Sequence, residues 1–444
     1  HKEGHLFGSP DPASIVVSTG GMLTQNFTLA EPGRLRVLIA NENSDPIAGK
    51  ASVVGFDPAK DPESTQTVFG LVSNRTGIFG DTTKDRIPHG IARVVFVDHS
   101  GDSGEFPVEP GDYEVVVSHG TEYSTDATPV TISSGALATV NADVRRVIDT
   151  QGFVSGDFHV HSFDSVDCKV TRRDRIVSML AEGVDFFTPS DHEFRADFTQ
   201  DILDLGAENL ISTAVNNEIT TFDYGHFGGF PMTILPDQVN GGAIDWARAA
   251  PAGQDFPSLG AYGLAPGEIY DAVASDPGED TVHIHHIHSF FDGGLRFDSG
   301  MSPPQSFGNP TPLRLDPLVP NFWDPDFTAL EVWIEGGRGQ MFGNFLGENA
   351  GNWFNLLNQG LARTGYADSD THQIVINQAG FARSMIASPT DNPGGLAAIA
   401  ETLAHNVNEG RVVGTNAPFM RVSVEGDPGE FAGLELGMPT LVKA

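Results

Sequence analysis

Cysteine, lysine and long apolar runs are all scarce in these 444 residues. The single cysteine, Cys168, excludes an internal disulfide and any zinc site built on paired cysteines. Alone, it reads as a small buried residue. Lysine occurs only at Lys2, Lys50, Lys60, Lys84, Lys169 and Lys443. With 59 acidic against 25 basic residues, the formal net charge is -34. Such a surface repels phosphate backbones, so nucleic-acid binding is disfavoured. It suits a salty or extracellular setting. No run approaches the roughly eighteen apolar residues that mark a membrane span, and none is expected. The chain opens on His1 rather than on methionine, which reads as a processed product. These signals together place the protein outside the cytoplasm, secreted or periplasmic.

Hydrophobic residues make up 39% and charged residues 19%, the balance of a globular chain. The length exceeds one ordinary core, so two or three domains are expected. Plentiful glycine and proline favour loops and short strands over long helices. Up to about residue 150, apolar residues recur with period two. "RLRVLIA" (34–40), "ARVVFVD" (92–98), "YEVVVSHG" (113–120) and "ATVNADVRRV" (138–147) read as half-buried strands. The turn clusters "ENSDPIAGK" and "VEPGDY" separate them. Residues 1–150 are therefore expected to form a small all-β sandwich. His89, His99 and His119 are scattered through it without a catalytic constellation.

After residue 150 strands and helices alternate. "FVSGDFHVH" is a strand, and "TRRDRIVSMLAEG" (171–183) is a helix capped by Thr171 and ended by Gly183. "VDFFTPSDHE" (184–193) and "ISTAVNNEITTFD" (211–223) are strands around the helical "TQDILDLGAENL". The helix "APGEIYDAVASDPGED" leads into strand "TVHIHHIHSF" (281–290). "FTALEVWIE" (327–335) is a strand, "NWFNLLNQGLARTG" a helix and "GYADSDTHQ" (365–373) a strand end. Alternation of this kind implies an α/β layer with parallel strands, open or closed into a barrel. Its chemistry is expected at the carboxyl ends of the strands. Residues 236–262 and 292–320 fit no element and read as long loops over the site. The α/β region spans 151–420. Residues 421–444 read as the start of a further β segment that is cut short.

The densest chemistry lies in "GDFHVHSFDSVD" (156–167). Side chains at i, i+2 and i+4 of a strand share a face. Asp157, His159 and His161 therefore line one face, with Asp167 just beyond. Two neutral imidazoles and a carboxylate are natural ligands of a divalent metal. Four other strand ends carry the same residue types. "SDH" offers Asp191 and His192, and "NNEITTFDYGHF" offers Glu218 and His226. "HIHHIH" offers His283, His285, His286 and His288, and "SDTH" offers Asp370 and His372. Nine of the 15 histidines fall in these windows, too many for independent surface or packing roles. In "HIHHIH", Val282, Ile284, His286 and His288 share one face, and His283, His285 and Ile287 the other. The face with two apolar residues is expected to point inward. That favours His286, supported by His288, and leaves His283 and His285 without a functional part.

In order and number these motifs resemble the PHP (polymerase and histidinol phosphatase) superfamily of metallohydrolases. The marks are "HVH" with a following Asp, "SDH", "NNEITT", "HIHHIH" and "SDTH". "GDYEVVVSHGTEYS", "SGDFHVHS" and "EITTFDYGHFGGFPM" are similar to its carbaryl-hydrolase-like (CehA/McbA-type) branch. The resemblance implies a distorted (β/α)7 barrel behind the small β-domain. Residue by residue it makes His159, His161, Asp167, His192, Glu218, His226, His286, Asp370 and His372 the metal ligands. They would hold two or three divalent ions: zinc, manganese or iron. Ile287 stands where the family has the proline of "HP", so His286 and His288 both stay open as the ligand. "ALEVWIEGG" lacks the family's Asn after the Trp, which leaves the role of Glu331 open.

Ions of this kind bind water and bring its pKa towards neutrality, and the hydroxide attacks phosphorus or a carbonyl carbon. The candidates for direct catalytic parts are Glu218, Asp370, His288 and Arg296, with Glu218 placed to bridge two ions. Asp157 or Asp191 would orient histidines. Arg195 and Arg296 would hold an anionic group, against a competing reading as ordinary surface charge. The first expected activity is hydrolysis of small phosphoesters, mono- or diesters. Hydrolysis of a carbamate, amide or carboxylic ester is the alternative. A third reading, from another class, is a secreted binding protein with structural metals. The expected partner is a small-molecule substrate, not nucleic acid, and nothing in the sequence speaks to oligomeric state.

Overall fold

The computed structural model describes residues 19–24, 26, 31–57, 91–221, 225–247, 263–277, 281–285, 324–334, 349–358, 360–375, 377–416, 418–420, 423–424 and 442–443. Residue contacts divide the chain into two compact units. One is His1–Ile148 with Leu180–Gly183, and the other is Asp149–Met179 with Val184–Ala444. No described helix is long and apolar enough to cross a membrane.

The first unit is all β. Strands β1 (Gly33–Ala40), β4 (Phe106–Val108) and β7 (Leu137–Asp143) form a three-stranded sheet with β1 central. β4 runs antiparallel to β1, and β7 parallel to it. Strands β2 (Gly49–Asp57), β3 (Ile91–Val97), β5 (Gly111–Ser118) and β6 (Asp126–Ile132) form an antiparallel sheet in the order β3-β2-β5-β6. Alternate residues of β1 and β5 are buried, as period-two patterning requires. Leu35, Val37 and Ile39 of one sheet share a single apolar cluster with Val53, Val115 and Val117 of the other. That is the layered core of a β-sandwich.

The second unit carries two five-stranded sheets of mixed direction. The first has β8 (Phe153–Val160) at its centre, with β9 (Phe186–Pro189) and β10 (Ser212–Thr213) on one side. β16 (Arg383–Ala387) and β17 (Val412–Thr415) lie on the other side. The second sheet runs in order through β11 (Ile219–Thr220), β12 (His226–Gly228), β13 (His283–His285), β14 (Ala329–Ile334) and β15 (Thr364–Asp368). β8, β9 and β10 are mutually parallel, as are β13, β14 and β15. Every residue of β8 is buried, so both its faces are covered. Ser423–Val424 and Val442–Lys443 form a short antiparallel ladder of their own.

Among the described residues, five α-helices accompany these sheets: α1 (Arg172–Ala181), α2 (Thr199–Leu205), α3 (Pro266–Ala274), α4 (Ala350–Asn358) and α5 (Ala400–Asn408). Thr171 caps α1, its hydroxyl accepting from Asp174 N at 3.1 Å. α2 is shorter than its sequence pattern because Gly206 takes a left-handed φ of 72° and ends it. α3 opens with Pro266, and Glu268 Oε2 accepts from Ala265 N at 2.8 Å. Ile269, Tyr270 and Val273 of α3 and Leu356 of α4 pack with Ile284, Leu330 and Val332 in one apolar cluster. Phe158, Phe230 and Tyr366 meet Leu403 and Val407 of α5 in another.

Among the described residues the ladders do not close into one barrel. They stop at two seams, where the strand pairing shrinks to the isolated parallel pairs Val160↔Thr371 and His192↔Glu218. The long strand expected over 211–223 survives as two residue pairs, β10 and β11. Asn216 explains the break. Its Nδ2 donates to Phe158 O at 3.2 Å and Thr188 Oγ1 at 3.1 Å, while its Oδ1 accepts from Asn217 N at 2.8 Å and Gly229 N at 3.0 Å. Side-chain bonds replace ladder bonds where the backbone leaves the sheet.

Leu35 is fully buried between the sandwich sheets. Leu35→Ala should cost about 2–5 kcal/mol of that unit's stability through lost burial and a residual cavity. Urea unfolding followed by circular dichroism checks this.

Candidate metal centre

The strand ends of the second unit bring imidazoles and carboxylates together around Glu218. This carboxylate follows the Asn216 break and is fully buried. Its Oε1 lies 2.7 Å from His226 Nδ1 and 3.4 Å from His159 Nε2. Its Oε2 lies 2.9 Å from His192 Nδ1 and 3.4 Å from His161 Nε2. Asp370 closes the other side, with Oδ1 3.2 Å from both His159 Nε2 and His161 Nε2. It is held there by a left-handed backbone, φ 48°, unusual for a residue with a side chain. His372 stacks on His161 with ring centroids 3.9 Å apart. Asp167, half-exposed, reaches His192 Nε2 at 3.3 Å and His372 Nε2 at 3.2 Å.

Four overlapping groups have donor atoms within 4.8 Å of one another. They are His161, Asp167, His192 and His372; His159, His161 and Asp370; His159, His285 and Glu331; and His192, Glu218 and His226. The donors are imidazole nitrogens and carboxylate oxygens, the mixture that suits zinc, manganese or iron. His161 Nε2 is buried and makes no hydrogen bond, although carboxylate oxygens stand 3.2 and 3.4 Å away. A lone pair aimed at carboxylates without a proton between them fits a cation, so the residues present suit divalent metal.

Of the residues singled out in the sequence, the structure gathers His159, His161, Asp167, His192, Glu218, His226, Asp370 and His372. His286, His288 and Arg296 lie outside the described residues. The face assignment on β13 is corrected. His285, set aside from the sequence, is buried with its ring 4.2 Å from that of His159. Ile284 instead packs into the apolar cluster with α3 and α4. In a sheet covered by helices the apolar face meets the helices, and the polar face is left to line the site. His283 shares the polar side but stacks among Phe158, Phe230 and Tyr366. Neither of its nitrogens finds a hydrogen-bond partner, and burial holds it neutral, its pKa lowered to about 3.

The orienting roles differ from expectation too. Asp157 and Asp191 hold backbone rather than imidazoles. Asp157 accepts from Ser369 N at 3.2 Å and Gly380 N at 2.7 Å. Asp191 accepts from Ser162 N at 2.6 Å and Ser162 Oγ at 2.8 Å, and burial pushes its pKa up to about 6. The imidazoles are oriented by Glu331, whose role the sequence left open, and by two hydroxyls it did not point to. His159 Nδ1 meets Glu331 Oε1, and His161 Nδ1 meets Ser165 Oγ, both at 2.8 Å. His192 Nδ1 meets Thr220 Oγ1 at 2.6 Å. Arg195 does not face the site: it is buried, with Nη1 2.6 Å from Asp276 Oδ2 and 2.6 Å from Thr233 O.

Charge sorts these groups in the metal-free protein. Burial opposes a charge on Glu218, but His226 and His159 outweigh it and hold the carboxyl well below its usual range. Burial likewise opposes a proton on His159, yet Asp370, Glu331 and Glu218 raise its pKa well above the ordinary imidazole value. His192 is pushed up to about 10 by Asp167 and Glu218 against its own burial. For His161 burial prevails, and its pKa falls to about 3.

No protein-family model matches the chain, and no curated protein matches it. Among solved structures, a two-domain protein from Bacteroides vulgatus, described as containing a predicted PHP-like metal-dependent phosphoesterase, is 13% identical. The match covers 61% of this chain and 68% of that one, with a TM-score of 0.35. GBS52, the minor pilin of Streptococcus agalactiae, is 17% identical over 27% of this chain and 48% of its own, with a TM-score of 0.18. The shaft pilin SpaA of Lactobacillus rhamnosus GG is 9% identical over 30% of this chain and 52% of its own, with a TM-score of 0.18. The chain spans about half the length of these pilins. Likeness at this level leaves the functional reading to the site itself.

Metal must displace protons here, because a ligating imidazole is neutral. With its pKa raised to about 10, His192 is protonated at pH 8 in the metal-free protein. Calorimetric titration with Zn2+ at pH 8 in buffers of different ionisation enthalpy should therefore show release of about one proton or more per chain. His192→Ala should lower that number. Without metal, the raised pKa makes His192 a stabilising group below pH 6.5 whose contribution is lost as pH rises towards 10. His161 runs the other way. Its contribution is present above pH 6.5 and lost as pH falls towards 3, where the buried ring must take a proton.

Proposed function

We propose that this protein is a metal-dependent hydrolase acting on a small molecule. One observation carries the reading: Glu218 and Asp370 both stand 3.2–3.4 Å from the Nε2 atoms of His159 and His161, in a buried cluster drawn from several strand ends. Structural metal sites are usually closed four-ligand sets, whereas catalytic sites keep a position open. This cluster holds more donors than one ion needs, and its rim is open to solvent at Asp167 and His372, with side chains 50% and 27% exposed.

Divalent ions bound here would supply Lewis acidity and a water acidified towards neutrality. His159, His161, Glu218 and Asp370 would hold an inner position. Asp167, His192 and His372 with His161 would hold an outer one, and Glu218 with its two oxygens would serve both. Glu331, Ser165 and Thr220 fix the rings of His159, His161 and His192 so that the other nitrogens converge. The two seams support reading the sheets as an interrupted barrel of the PHP kind, its ligands sitting where the ladders part.

Small phosphoesters are the first substrate class, since metal ions can carry their anionic oxygens without a dense basic cradle. A carbamate, amide or carboxylic ester is the second. Arg195, engaged by Asp276, is not available to hold a substrate of either class. The acidic surface argues for a small molecule rather than nucleic acid in either case, and for a secreted or periplasmic setting.

Chromogenic phosphoesters, aryl esters and carbamates should be screened with Zn2+, Mn2+ or Fe2+ added, alongside elemental analysis of the purified chain. The expected result is two or three ions per chain and turnover of phosphoesters. His161→Ala and Asp370→Ala should each lower turnover at least about a thousandfold, as removal of metal catalysis does, while circular dichroism stays native. Full activity in either folded variant excludes catalysis by these metals. Turnover of carbamates without phosphoesters moves the assignment to the second class.

A further inference from the structure

Arg175 is, with Arg383, one of the two largest fully buried side chains among the described residues, and the mechanism above does not use it. It sits in the first turn of α1, its own N–H bonded to Thr171 O at 2.9 Å. All five guanidinium N–H groups find acceptors. Nε donates to His161 O at 2.9 Å. Nη1 donates to Thr371 Oγ1 at 2.8 Å and Gln373 O at 3.1 Å. Nη2 donates to Thr371 O at 3.0 Å and contacts Cys168 Sγ at 3.9 Å. None of these acceptors is a carboxylate.

A buried cation that makes no direct pair with a carboxylate is costly, and a packed apolar residue would serve stability better. What the guanidinium does provide is geometric. Its planar fork presents donors in fixed directions. One arm takes the carbonyl of the ligand His161 at the end of β8. The others take the residue between Asp370 and His372, and the residue after them. These are the two segments that meet at the Val160↔Thr371 seam, where no continuous ladder fixes register and His161 N to Thr371 O at 3.1 Å is the backbone link.

We propose that Arg175 is a positioning residue that locks the backbone of His161 to that of Asp370–His372 and so sets the convergence of three metal ligands across the seam. This rests on the metal-dependent reading above. Lysine keeps the charge but cannot span the fork, so the substitution separates geometry from electrostatics.

The test compares Co2+-loaded wild type with Arg175→Lys by visible absorption, Co2+ titration and thermal unfolding of the metal-free proteins. Arg175→Lys should weaken Co2+ binding about tenfold or more, the usual effect of losing a supporting contact, and shift the visible bands. Thr371→Val removes one acceptor of the fork and should change the spectrum in the same direction but less. Thr371→Ser keeps the hydroxyl and should restore it. The Arg175→Lys/Thr371→Val double variant should fall short of additivity, because the two groups act through one contact. Should Arg175→Lys not fold, the two Thr371 variants decide. Unchanged Co2+ affinity and spectrum in folded Arg175→Lys or in Thr371→Val overturn the inference. So does a lowered melting temperature with the Co2+ spectrum intact, which would make Arg175 purely structural. A wild type that takes up no Co2+ overturns the metal reading and this inference with it. A wild type that binds, beside variants that bind identically, overturns this inference alone.

Discussion

Glu218 is a carboxylate with no access to water, and four imidazoles stand within 3.4 Å of its two oxygens. Burying such a charge is tolerable only if positive charge is buried with it. In the metal-free protein that charge is protonic. His159 and His192 bind protons more tightly than free imidazole, while His161 gives its own up. Divalent cations would perform the same compensation with more charge per site. They would also satisfy His161 Nε2, which the protons leave without a hydrogen bond. The arrangement of the second unit follows from this demand for convergence. Regular strands cannot point donors from several ladders at one spot, so the backbone departs from the sheet where the donors lie. Asp370 takes φ 48°, Glu193 takes φ 53°, and the strand through Asn216 is broken.

Departing from the ladder removes backbone hydrogen bonds, and buried side chains replace them. Asp157 ties β8 to Ser369 N and Gly380 N. Asp368 accepts from Phe158 N at 3.0 Å in return, so the strand ends of β8 and β15 are cross-linked by two acids as well as by Arg175. Burial drives the pKa of both acids up. Their role is to accept amide protons at the seam, whereas Asp167 and Asp370 face the imidazoles of the cluster. The same residue type thus does two jobs.

The sandwich was legible because period-two alternation needs only one dry face per strand, and β1 and β5 have that pattern in their letters. The clustering of ligand types was legible for a similar reason: His159 and His161 are two apart on a strand and must share a face. What stayed hidden depended on tertiary context. His285 was set aside because apolar neighbours were taken to mark the interior, but in this unit they mark the face against α3 and α4. Glu331 looked like an isolated acid in "ALEVWIE", and only the fold brings it to His159. Arg175 lay in "TRRDRIV", a basic stretch that reads as a solvated helix start. Its burial depends on contacts with residues up to 198 positions away. The two seams were equally invisible, since a one-dimensional pattern of strands and helices contains no statement about where a ladder ends.

Exposure runs through the cluster in one direction. His159, Glu218, His285 and Glu331 are fully buried, His192 and His226 are nearly so, and Asp167 stands half in solvent. The deep donors are fixed by apolar packing and by each other. The rim donors sit on loops that the first turn of α1 and Asp191 anchor through Ser162 and Arg175. Among the described donors, Asp167 and His372 are the ones most open to solvent. The deep donors are fixed and the rim donors are wet. That gradient is what the proposed open catalytic position would require, and a closed structural site would have no use for it.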